Sequence, residues 1–436
     1  MCRPNTARLG LTFIFLAAPI AASAAGMEGH WEGVLTGKER STPLAIDFED
    51  SSGKLAGRFA LPEFRWLDVP IQDIAVKRGK LSGAVGQSGK NLIEAEIRRD
   101  TIKGTYTYNG RTMPFELQRA PVPERPYTTE EVEFRNGDIK LAGVLYIPRT
   151  SGPHPAVVFL HGSGDNERWH YSTPADFFAR LGVAGLCFDK RGNGKSEGDW
   201  RKVGFDALAE DGLAGLQMLR SRRDIDPKRV GFWGVSQAGW IMVLAASKSS
   251  DVAYFICVNG GASTVEREGF YDYEWDLARK GYSEEDIAEA VELLRRNNEI
   301  TRGRGDYEAF LEYVQPLRDQ AWYREIGFVP FRPDSPARSF YRLIVDFDPI
   351  PHLRKLTIPA LFHYSEADET SPSVEDAARL RALKGELGKD WTIYTYPNAN
   401  HGVRLPPSEG AAFPFQTYAP GYWENTAEWI ERHGFR

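Results

Sequence analysis

The sequence predicts an α/β protein, a mostly parallel doubly wound sheet with a helical lid insertion, preceded by a small all-β domain of barrel or sandwich type. Three observations carry that expectation. Across residues 27–120, short alternating segments are separated by Gly, Ser, Asn and Asp, with turn signals about every 8–12 residues. From residue 127 onward, apolar runs alternate with longer amphipathic stretches, the pattern of right-handed βαβ units. Between about 264 and 346 the alternation stops and apolar residues recur at helical spacing.

Taken in order, residues 1–25 read as a secretory signal peptide. Arg3 and Arg8 give the basic start, 9–22 an apolar stretch, and Ala22-Ser23-Ala24 a small-x-small cleavage site. The apolar stretch is shorter than the roughly 20 residues a spanning helix needs, so a mature chain without a membrane span, periplasmic or secreted, is expected. In the all-β domain, 30–35, 43–48, 54–59, 92–97 and 104–108 read as strands. Ser51-Ser52-Gly53, Arg78-Gly79, Ser88-Gly89 and Asn109-Gly110 mark turns. Residues 121–126, Pro-Val-Pro-Glu-Arg-Pro, form a stiff linker.

In the domain expected over 127–436, segments 154–160, 183–188, 229–235 and 252–258 read as buried strands. Helices are expected over 174–181, over 203–220, and after residue 236. The insertion at 264–346 carries helical patterns at 284–297 and 307–323 and is rich in Tyr, Trp, Phe and Arg. An insertion between strands of an open sheet falls at the carboxyl edge, where ligands bind, so it is expected to act as a lid. Strands at 359–364 and 392–396 and helices at 374–387 and 423–433 complete the pattern.

Composition excludes several classes. The 436 residues are 42% hydrophobic and 26% charged, with a net charge of −6 and both signs scattered, so no basic stripe argues for nucleic acid or anionic lipid. Cys187 and Cys257 lie inside apolar runs and read as inert thiols. There is no paired Cys or His spacing for a metal, and no cofactor is expected. Gly194-Lys195-Ser196 invites a phosphate-loop reading, but that motif needs Gly five residues before Gly194, where Asp189 stands. The segment 189–196 is instead expected to be a polar turn, with Asp189 and Arg191 bonding locally.

The chemistry concentrates at Gly234-Val235-Ser236-Gln237-Ala238-Gly239, between an apolar strand and an apolar helix. Small residues around a serine in a strand–turn–helix are the mark of a nucleophile elbow, where the hydroxyl stands exposed at a helix N-terminus. A serine hydroxyl needs a base, and the base needs an orienting acid. Ser236, Asp368 and His401 follow in the order expected for strand-end loops of one sheet. Glu366 and Glu369 are neighbouring alternatives to Asp368. Oxyanion donors are expected from the backbone N–H of Gln237 and, within His161-Gly162-Ser163-Gly164, from Ser163.

Together these segments resemble the α/β-hydrolase superfamily, and more narrowly exported bacterial carboxylesterases with an extra N-terminal β domain and serine aminopeptidase-like hydrolases. The matching parts are the 161–164 loop, Asp-x-Arg-Gly-x-Gly-x-Ser at 189–196, the Ser236 elbow, Asp368 and His401. The chain departs from the pattern at Ala238, in place of a glycine, and at Ser365 in the acid's loop. The resemblance implies hydrolysis of a small-molecule ester through an acyl-enzyme. A serine aminopeptidase or amidase is the alternative, with Glu274 or Asp276 as anchor for a peptide terminus. A binding protein with a vestigial triad is the non-enzymatic reading.

Overall fold

The computed structural model describes residues 26–51 and 54–436, so the expected signal peptide lies outside the described residues. The chain divides into two compact units. One holds the described residues up to Phe59 with Pro70–Val122, and the other holds Ala60–Val69 with Pro123–Arg436.

The first unit is built on eight strands: β1 (Gly29–Thr36), β2 (Ser41–Ser51), β3 (Lys54–Leu61), β4 (Trp66–Lys77), β5 (Lys80–Val85), β6 (Leu92–Arg98), β7 (Thr101–Tyr108) and β8 (Arg111–Ala120). They pair in sequence order and close, β1 lying antiparallel to both β2 and β8. This resolves the barrel-or-sandwich alternative in favour of a barrel, because a sandwich would leave β1 and β8 unpaired with each other. Trp31, Leu35, Phe59, Ile102 and Leu117 are fully buried and fill it.

The second unit carries an eight-stranded sheet. Its strands are β9 (Tyr127–Asn136), β10 (Ile139–Pro148), β11 (His154–Leu160), β12 (Ala184–Phe188), β13 (Ile225–Val235), β14 (Phe255–Val258), β15 (Ala360–Ser365) and β16 (Trp391–Tyr396). Their spatial order is 16-15-14-13-11-12-10-9. From β12 to β16 all pairs are parallel, while β9 and β10 form an antiparallel hairpin at one edge. This hairpin was not among the expected strands, although Asn136-Gly137 between two alternating runs is a turn signal of the right kind.

Every residue of β11, β12 and β14 is buried, as expected for strands covered on both faces. The period-2 alternation divides their side chains between two cores. Ala156, Val158 and Leu160 enter one core, and Val157 and Phe159 the other. The first face is covered by α2 (Phe205–Arg220) and α3 (Ala238–Lys248), the second by α1 (Ser172–Arg180).

Between β14 and β15 the chain forms α4 (Val265–Arg279), α5 (Glu284–Thr301), α6 (Tyr307–Leu317), α7 (Ala321–Ile326), α8 (Pro336–Arg342) and α9 (Ile350–Lys355). Leu277, Leu293, Val314 and Trp322 are completely buried in a separate core within this insertion. The single helix expected at 307–323 is two. Pro316 stands in the last turn of α6, where it withdraws a hydrogen-bond donor, and the helix ends at Leu317. Two helices, α10 (Ser373–Leu387) and α11 (Tyr422–Arg432), complete the unit. No helix of the described residues is long and apolar enough to cross a membrane.

Candidate active site

Ser236 stands between the end of β13 and α3 with φ at +61°, a left-handed conformation that costs a non-glycine residue energy. Its surroundings hold it there. Its N–H donates to the Val258 carbonyl at 2.9 Å, and its own carbonyl accepts from the Gly239 N–H at 2.7 Å. The turn is so tight that a Cβ on Gly234 would lie 2.4 Å from the Ala238 Cβ, and one on Gly260 would lie 2.4 Å from the Ser236 carbonyl oxygen. Small residues are therefore required on both sides of the serine by space alone.

The loops after β15 and β16 meet. Asp368, with no exposed surface, faces the His401 imidazole: Nδ1 lies 2.9 Å and 3.0 Å from the two carboxylate oxygens. The same carboxylate accepts from the N–H groups of Thr370 and Ser371, each at 2.9 Å, and from the Ser373 hydroxyl at 2.6 Å. This donor set lets a carboxylate stay buried. Of the neighbouring acids, Glu369 reaches His401 only at its backbone N–H, at 3.1 Å. Burial pulls the His401 pKa down, but the hydrogen bond and charge of Asp368, with Glu268 and Glu369, more than offset it and leave it raised. A proton shared between Nδ1 and Asp368 leaves Nε2 as the basic nitrogen.

Ser163 is exposed in the loop after β11, Gln237 is buried at the start of α3, and neither N–H has a hydrogen-bond partner among the described residues. His161 points elsewhere. Its Nε2 donates to the Phe188 carbonyl at 2.7 Å, and burial lowers its pKa to about 3, so it is a neutral structural group.

Asn259, just past β14, was missed in the sequence. Its Nδ2 donates to the Ser365 hydroxyl at 2.9 Å and to the His401 carbonyl at 2.7 Å, while Oδ1 accepts from the Ser365 N–H at 2.7 Å. Ser365 thus uses its hydroxyl where a glycine could not. No motif marks Asn259; the one sequence signal is an amide side chain ending an apolar strand at the carboxyl edge of the sheet.

The 189–196 segment corrects one expectation. Asp189 does accept from the Lys195 N–H at 2.9 Å, but its ion pair is with distant Arg168 at 2.8 Å, and Arg191 pairs with Asp211 at 2.6 Å. The segment is a turn bonded within itself, the Ser196 hydroxyl donating to the Asp189 carbonyl at 2.7 Å, and its two charged side chains also tie it to α2 and to the turn before α1. Cys187 and Cys257 are buried free thiols whose pKa values burial pushes up.

The insertion reaches the acid's loop through α4. Tyr271 donates its hydroxyl proton to the Asp368 carbonyl at 2.9 Å, and Glu268 accepts from the Ser371 hydroxyl at 2.9 Å. Glu274 and Asp276, the expected anchors for a peptide terminus, are instead in ion pairs with Arg267 and Lys280. No group of three or more His, Cys, Asp or Glu among the described residues is arranged to hold a metal ion.

Residues 157–413, more than half of the chain, match the model of the Alpha/beta hydrolase family. Among curated relatives, the quorum-quenching protein AidA of Acinetobacter baumannii is 35% identical over 136 residues, 31% of this chain and 44% of that protein. The match therefore spans less than half of that relative. The thiohydrolase aneE of Aspergillus aculeatus is 27% identical over 300 residues, 66% of this chain and 89% of that protein. The esterase EstD of Thermotoga maritima is 24% identical over 310 residues, 69% of this chain and 67% of that protein.

Proposed function

Since the chain belongs to the alpha/beta hydrolase family, we propose that this hydrolase cleaves carboxylic esters through an acyl-enzyme on Ser236. The observation that carries the reading is the buried Asp368 carboxylate at His401 Nδ1, in the same unit as a serine held at +61°. Ser236 Oγ attacks the ester carbonyl as His401 Nε2 takes its proton, and Asp368 stabilises the imidazolium. The Ser163 and Gln237 N–H groups, without partners among the described residues, receive the oxyanion. The imidazolium then protonates the departing alcohol. Water, deprotonated by the same nitrogen, releases the acid and restores the serine.

An ester is favoured over a peptide terminus because Glu274 and Asp276 are neutralised by cations of their own helix region. The similarity to an esterase and a thiohydrolase supports activated acyl carbonyls as the substrate class. The test is a panel of p-nitrophenyl acetate and butyrate, an acyl thioester and aminoacyl-p-nitroanilides, run on wild type and Ser236→Ala. Ester cleavage lost in the variant supports the reading. Equal rates in the two proteins refute it, and a large preference for anilides replaces esterase with peptidase.

A further inference from the structure

Lys190, two residues past β12, has no counterpart in that mechanism. It is 1% exposed, and no ion pair with it occurs among the described residues. A buried ammonium without a carboxylate is costly, and here neutral groups satisfy it instead. Nζ donates to the Gly162 carbonyl at 2.8 Å, to the Gly164 carbonyl at 2.9 Å and to Gln237 Oε1 at 3.3 Å. It also stands 4.4 Å above the Trp200 ring, within cation–π range. Burial pulls its pKa down to about 7, with Asp165 opposing that shift and Arg201 adding to it.

The acceptors are the informative part. In a trans peptide the carbonyl and the N–H of the next residue point in opposite directions. The Gly162 carbonyl and the Ser163 N–H belong to one peptide, so drawing that carbonyl onto Lys190 turns the Ser163 N–H to the opposite side. Asn166 Nδ2 adds a longer bond to the same Gly162 carbonyl at 3.5 Å and holds the next two peptides through the carbonyls of Ser163 at 2.9 Å and Gly164 at 3.2 Å. The third bond draws the Gln237 side chain toward Lys190, on the residue that carries the other candidate donor. One nitrogen atom is thus bonded to both segments that bear the two free N–H groups.

We propose that Lys190 is a positioning residue for the oxyanion hole, holding the 162–163 peptide and Gln237 in the orientation that presents their N–H groups to the reacting oxygen. The inference rests on the serine-hydrolase reading. Without the three bonds the glycine-flanked peptide is free to flip and present a carbonyl, which repels an oxyanion instead of binding it.

The test uses an alkyl fluorophosphonate, which reports the nucleophile without knowledge of the natural substrate. Ser236 Oγ bonds to phosphorus, fluoride leaves, and His401 takes the serine proton. Labelling rates and p-nitrophenyl butyrate kinetics are measured on wild type, Ser236→Ala and Lys190→Met. Lys190→Met should label about 10- to 100-fold more slowly and lose kcat by a similar factor. Its KM should stay within about twofold; a lowered thermal midpoint is compatible with the proposal, because the Gly162 and Gly164 carbonyls and Gln237 Oε1 lose a donor. A merely structural lysine would lower the midpoint and leave the kcat of folded enzyme unchanged, and that result overturns the proposal. If Lys190→Met does not fold, Lys190→Leu and Asn166→Ala take its place under the same criteria, and wild-type kcat in folded protein again overturns it. Wild-type labelling in Ser236→Ala overturns instead the hydrolase reading beneath it.

Discussion

The side chain of Asn259 donates a 2.7 Å hydrogen bond to the main-chain carbonyl of His401. The same amide holds Ser365 through both its N–H and its hydroxyl. One residue at the end of β14 therefore ties together the two loops that carry the acid and the base. Asn259→Ala would leave several buried polar groups unpaired in a residue with φ at +47°. We expect a stability loss of about 2–3 kcal/mol in chemical denaturation. The folded variant should lose at least about tenfold in kcat, because the imidazole is no longer fixed in place. A variant with full activity and lowered stability would show that Asn259 serves the fold alone.

A second prediction concerns pH. The proposed mechanism needs a neutral His401, whose pKa lies above the ordinary 6.5 because Asp368 outweighs the effect of burial, with Glu268 and Glu369 adding to it. The rate measured as kcat/KM should therefore rise with pH through a limb above 6.5. Asp368→Asn should move that limb downward as well as reduce the rate. The raised value also stabilises the fold below the unfolded-state pKa, and that contribution is lost as pH rises through the folded-state pKa. A limb below the ordinary histidine value in wild type would contradict the ion pair.

Glu268 behaves in the opposite sense. Burial pushes its carboxyl up to about 8, the Ser371 hydroxyl and His401 opposing, Asp376 and Asp368 adding. Between the ordinary 4.5 and about 8 the folded protein holds a proton that the unfolded chain has released, so stability falls as pH rises across that window. Glu268→Gln keeps an acceptor for Ser371 and cannot titrate. Its thermal midpoint should gain on wild type steadily from pH 5 to pH 8 and match it closely at the acid end. A constant difference at every pH would mean that Glu268 is ionised throughout.

Much of the fold was legible because its signals are local. The alternation of barrel strands, the uniformly apolar β11 and β12, and the small residues around Ser236 each follow from the immediate geometry of strand or turn. The β9–β10 hairpin was harder: β9, at the exposed edge, carries several charged residues, which hides its pairing with the mostly buried β10. Within the site, chain order placed Asp368 beside His401, and side-chain geometry separated it from Glu366 and Glu369. Lys190 and Asn259 escaped because most of their partners are main-chain groups of other loops. A backbone acceptor leaves no trace in residue identity.

The insertion leaves the sheet after β14 and returns at β15, yet these two strands are direct neighbours, Phe255 opposite Ala360 and Val258 opposite His363. The pairing of these strands therefore does not depend on what lies between them, although Val265, Ile344 and Leu353 of the insertion pack into the sheet's core, and helices α5–α7 share a separate core with Leu277 of α4. Such an arrangement is modular: those helices can be exchanged or redrawn by mutation while the strands that carry serine, acid and histidine keep their alignment. The exceptions are α4, bonded through Tyr271 and Glu268 to the acid's loop, and the return from Phe340 to Leu353, which packs against the sheet's core. Any graft of a new insertion has to start beyond α4, at the turn before Glu284, if it is to inherit a working acid.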